Sequence, residues 1–90
     1  WVETAATDMD IKTDGTDKFY GAIYTGIDDS AGGKTFISDS SSNDVLTMNG
    51  STKGGLAGSW VQFTAIADNA YYVTGQLLGS STLVTPFADA

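Results

Sequence analysis

Trp60-Val61-Gln62-Phe63-Thr64-Ala65-Ile66-Ala67-Asp68-Asn69-Ala70-Tyr71-Tyr72-Val73-Thr74-Gly75-Gln76-Leu77-Leu78 is the stretch whose reading decides the fold. Two runs rich in β-branched and aromatic residues, 60–67 and 71–78, flank the polar turn Asp68-Asn69-Ala70, which is the pattern of a β-hairpin. Side chains alternate along a strand, so Trp60, Gln62, Thr64 and Ile66 share one face and Val61, Phe63, Ala65 and Ala67 the other. The second face is wholly apolar and is expected to point to the core. Tyr71 and Tyr72 are consecutive, so they must face opposite ways.

Working outward, the same grammar recurs near the start: Trp1-Val2-Glu3-Thr4-Ala5, then Asp14-Gly15-Thr16-Asp17-Lys18-Phe19-Tyr20. A hairpin grammar used twice suggests a β-built module of repeating or tandem type. Residues 1–4 read as a short strand, and 9–13 and 19–25 as a hairpin around Asp14-Gly15-Thr16-Asp17. Residues 34–38, 45–49 and 82–85 read as further short strands, the last ended by Pro86, which cannot donate to a ladder. Asn49-Gly50 suits a tight turn that needs positive φ. Helical periodicity is absent. The expectation is an all-β fold, a small antiparallel β-sandwich or barrel of about seven short strands. It is read as a single β domain over 1–90, with an N-terminal hairpin at 1–27 resembling the end of a preceding repeat and a main β module at 33–90.

Composition narrows the function classes. Ninety residues bury only about 60–65% of their unfolded surface, and small domains usually add disulfides, metals or partners. There is no Cys and no His, which removes disulfides, the commonest transition-metal ligand and the commonest general base. Oligomerisation is the compensation left. Eleven Asp and Glu against four Lys and no Arg give a net charge of −7. Phosphate contacts need clustered Lys or Arg, so nucleic acid is not an expected partner. An anionic membrane is disfavoured for the same reason, and no apolar run approaches the length of a membrane span.

Three constellations could carry chemistry. Asp8, Asp10, Asp14 and Asp17 form the densest acidic cluster and are candidate calcium ligands, with Asp28-Asp29 as further oxygens. Counted as an EF-hand loop from Asp10, the cluster puts Lys12 at the third position and Gly21 where a bidentate Glu is needed. Asp in turns commonly serves Asx hydrogen bonds instead, so no metal or cofactor is expected. Ser40-Ser41-Ser42 has no base near it in sequence and reads as a solvated turn. Trp1, Tyr20, Tyr24, Trp60, Tyr71 and Tyr72 could build a sugar-stacking platform, although such side chains more often fill cores and interfaces. Trp60, Val61, Phe63, Ile66, Tyr72, Val73, Leu77 and Phe36 are therefore the expected core or interface residues. Asn49-Gly50-Ser51 also fits an N-glycosylation acceptor.

Gly33-Lys34-Thr35-Phe36-Ile37-Ser38-Asp39 and Asp44-Val45-Leu46-Thr47-Met48 are followed by Leu56-Ala57-Gly58-Ser59-Trp60-Val61-Gln62-Phe63 and Tyr72-Val73-Thr74-Gly75-Gln76-Leu77. In that order they resemble a module of small β-rich proteins of tailed-phage virions, the capsid decoration and head-fibre type. The resemblance implies a non-enzymatic structural protein, displayed on a virion surface or otherwise extracellular, assembling with copies of itself on a capsid. It implies no catalytic residues. A subunit of an extracellular filament built by strand pairing between neighbours, and a carbohydrate-binding β module, are the alternatives.

Overall fold

The 60–78 stretch folds as a hairpin of two antiparallel strands, Trp60–Ala67 (β5) and Ala70–Gly79 (β6), in a computed structural model that describes residues 1–5, 7–27, 32–39, 41–80 and 82–89. Asn69 takes the left-handed conformation at φ 61°, one that Asn tolerates better than most residues. Beside this turn the ladder changes register: Ala65 faces Tyr71, but Ala67 faces Ala70. Alternation therefore breaks at Ile66. Val61 and Phe63 do pack against the core, whereas Ala65, Ile66 and Ala67 are exposed. The inward face predicted for the whole strand holds only for its first half.

Five further strands are Met9–Lys12 (β1), Lys18–Ile27 (β2), Gly33–Ile37 (β3), Val45–Met48 (β4) and Phe87–Ala88 (β7). They form two sheets, β1-β4-β7 and β3-β2-β6-β5. The all-β expectation stands, as two sheets rather than a closed barrel. One pairing departs from the antiparallel expectation: β2 and β6 run parallel, with Tyr20 opposite Tyr72 and Tyr24 opposite Gln76. The chain leaves β2 through β3, crosses to the other sheet at β4, and returns through β5, so β6 re-enters in the direction of β2.

The expected hairpin of 9–13 with 19–25 does not form. β1 pairs with β4 and β2 with β3 and β6, so residues 1–27 do not stand as a separate hairpin. The Asp14 turn instead carries the chain from one sheet to the other. Its local chemistry is as read: the Asp14 carboxylate accepts from the Thr16 and Asp17 amides at 2.9 and 3.2 Å, and Gly15 sits at φ 95°. Residues 1–4 and 82–85 are not strands. Val2 instead makes two main-chain bonds with Gly58 and Ser59, and Pro86 is buried just before β7.

Phe19 and Ile23 from β2, Leu46 and Met48 from β4, Val73 and Leu77 from β6, and Phe87 from β7 form the buried cluster. Phe63 closes on Phe19 with ring centroids 5.4 Å apart, a tilted aromatic pair. Gly75 is required where β5 and β6 meet, since a Cβ there would lie 2.3 Å from the Trp60 carbonyl oxygen.

Candidate functional site

The acidic residues do not converge. Asp8 and Asp10 are exposed at and just before β1, and the Asp14 carboxylate is committed to the turn amides, which lower its pKa. Among the described residues no group of three or more acidic side chains is placed to hold a metal. Asp28 and Asp29 lie outside the described residues. Lys18 pairs with the buried Asp44 carboxylate at 3.1 Å and also donates to the Gly15 carbonyl at 2.9 Å, which fixes the inter-sheet turn against β4.

Ser41 and Ser42 donate their hydroxyls to the Asp39 carboxylate at 2.7 and 2.9 Å, and those bonds hold the Asp39 pKa down. These bonds fix the conformation of the turn; Ser40 lies outside the described residues. Asn49 is similarly occupied: its Oδ1 accepts from the Ser51 and Lys53 amides, both at 2.9 Å, and its Nδ2 donates to Thr52.

What the fold does assemble is surface. Along one side, the β1 edge of the smaller sheet and the β5 edge of the larger sheet border an open groove. It comprises a cavity of about 570 Å³ lined by Met9, Ile11 and Met48, by Trp60, Val61 and Leu77, and by residues 1–5, 7 and 8 of the N-terminal segment, which Val2 ties to Gly58 and Ser59 beside the start of β5. A second cavity of about 290 Å³ continues past Ile11 to Phe63 and Tyr71. Val2, Met9, Ile11, Val61, Phe63 and Tyr71 are only half-covered, although all pack on the core. Both β1 and β5 are outermost in their sheets, so each has one unpaired main-chain edge within the described structure. β1 has four residues and β5 eight, and residues 64–67 of β5 are exposed.

The second surface is the outward face of the four-stranded sheet. Of the residues expected as core or interface, Val73 and Leu77 are buried, and Phe36, Val61 and Phe63 half-buried; Trp60, Ile66 and Tyr72 are exposed. Trp60 and Tyr72 join Tyr20 and Tyr24 on the outward face, and Tyr71 turns inward. Sequence reasoning saw these aromatics but not their shared face, because the β2–β6 pairing that aligns them is separated by about fifty residues of chain. No family model, curated protein or solved structure matches this chain.

Proposed function

We propose that this protein is a non-enzymatic structural subunit, of the virion-surface or other extracellular kind, that joins neighbouring copies along its open β1/β5 side. The observation that carries this reading is the groove. Apolar side chains continuous with the core are left half-covered between two unpaired strand edges. Exposed strand edges are templates for pairing with another chain, and an extended segment of a neighbouring copy would supply both the missing ladder bonds and apolar cover. The groove is the place where a small, Cys-free domain gains what its own core lacks. Capsid decoration closes such contacts around a symmetry axis, and a filament repeats the same contact without closure.

Sedimentation across a concentration series tests the reading. Copies carrying −7 each repel, so self-association is expected to strengthen as salt rises towards and beyond physiological strength. Met9→Asp, which puts a charge on a half-buried groove residue that also packs on the core, is expected to weaken association and to lower the melting temperature in part, so association is compared at temperatures where circular dichroism shows both proteins folded. A monomer at all concentrations and salts, with a concentration-independent melting temperature, would refute the structural-subunit reading. Electron microscopy of the assembly separates closed particles from open filaments.

A further inference from the structure

We propose that the outward face of the β3-β2-β6-β5 sheet is a binding platform for a neutral polysaccharide. The proposal goes beyond the assembly role, since that role uses the groove and leaves this face open. Among the described residues, five of the eight exposed large apolar side chains lie here: Tyr20, Tyr24, Ile37, Trp60 and Tyr72. The register arranges them in two rows. Tyr20 lies beside Tyr72, while Tyr24 and Trp60 flank Gln76. The rows are four residues apart along the strands, roughly 13 Å, with Thr74 and Gln62 side by side between them.

The rings recline on the sheet. A Cβ at Gly33 would lie 2.7 Å from the Tyr24 hydroxyl, and one at Gly26 would lie 3.4 Å from a Tyr24 ring carbon. Ring carbons of Tyr72 would stand 3.0 and 3.3 Å from a Cβ at Gly21. Glycine thus clears the bed on which both rings lie, holding them along the sheet. Tyr20, Tyr24, Trp60 and Tyr72 remain 38, 41, 42 and 45% exposed. Beside Tyr24 and Gln76, a cavity of about 430 Å³ bordered by Leu56 and Leu78 adds a recess to the platform.

The chemistry of the face selects the ligand. From Tyr20 onward, every outward position of β2, and those of β3, β5 and β6, is uncharged, in a protein of net charge −7. The side-chain amides of Gln62 and Gln76 make no hydrogen bond among the described residues. Flat aromatic rings beside free amides and threonine hydroxyls match a sugar, whose C–H face stacks while its hydroxyls bond. Phosphate-rich and anionic polymers meet no cation on this face and a repelling field around it.

Native affinity electrophoresis in gels containing hydroxyethylcellulose, mannan or dextran, with alginate as the anionic control, tests the proposal. Retardation by at least one neutral polymer and none by alginate is expected. Tyr24→Ala and Tyr72→Ala are each expected to weaken it by about tenfold, equivalent to ~1.4 kcal/mol, at unchanged secondary structure by circular dichroism. Met9→Asp, which addresses assembly, is expected to leave retardation in place, so failure of either reading is seen separately. No retardation by any neutral polymer, retardation by alginate alone, or loss of self-association in Tyr24→Ala and Tyr72→Ala would each overturn it; the last would assign the face to contacts between copies.

Discussion

Thr25 is fully buried on β2, and its hydroxyl has no hydrogen-bond partner among the described residues. A buried polar group left unsatisfied costs about 1–3 kcal/mol, and removing it isosterically is close to neutral or favourable. Thr25→Val is therefore expected to keep or raise the melting temperature; a loss above ~1 kcal/mol would show that the hydroxyl is bonded in solution. Asp14 and Asp39 act oppositely. Turn amides and serine donors lower both carboxyl pKa values below the ordinary 3.8. A carboxylate depressed on folding contributes stability in full above its unfolded pKa, and the contribution is lost as pH falls through the folded value. Thermal melts from about pH 5 down to about pH 2 should show wild type losing more stability than the double variant D14N/D39N. Parallel pH profiles for the two proteins would mean that these bonds do not survive in solution.

At the scale of elements, two glycines separate steric need from conformational need. A Cβ at Gly75 would collide with the Trp60 carbonyl at 2.3 Å and the Val61 Cα at 2.8 Å, whereas one at Gly15 meets nothing within 4 Å but sits at φ 95°. Gly15→Ala is expected to cost about 1–2 kcal/mol, the penalty of a left-handed alanine. Gly75→Ala must force β5 away from β6 and should cost more, with faster amide exchange confined first to β5. Equal costs with no local change in exchange would mean that the hairpin relaxes freely. The same hairpin shows what a turn does to a pattern. Its register shift beside Asn69 uncouples Ile66 and Ala67 from the alternation that placed Val61 and Phe63 inward, because a strand's face is defined only while its ladder keeps step.

For the whole molecule, the accessible surface of 4936 Å² is close to the ~5000 Å² expected of a compact monomer of this mass. Its distribution is what is unusual: apolar surface gathers in the β1/β5 groove and on the outward sheet face. Phe19 is buried and Phe63, its ring partner, borders the groove half-buried. Phe19→Ala is expected to cost about 3–5 kcal/mol in dilute protein, and Phe63→Ala less. In the proposed assembly the groove would be covered, so the cost of Phe63→Ala should rise with protein concentration while that of Phe19→Ala changes little. Denaturant midpoints at low and high concentration measure both, and a concentration-independent Phe63 value would count against the groove as the contact between copies.

The amino-acid sequence by itself determined what depends on neighbours in the chain. Alternation at 60–63 and along 71–78, Asx chemistry at Asp14, and positive φ at Gly50 and Asn69 are local, and each is present in the structure; the alternation expected over 64–67 is not. The tertiary structure alone decided which strands meet. The Asp14 turn has the same residues and hydrogen bonds whether its flanking strands pair or part, so nothing local shows that β1 and β2 enter different sheets. The parallel β2–β6 pair joins residues about fifty positions apart, a contact whose closure entropy is repaid only when the whole core forms. That pairing turns scattered tyrosines into one neutral face, and the separation of β1 from β2 leaves the groove open. The two surfaces proposed to act are therefore consequences of pairing between distant segments, which local patterning does not encode.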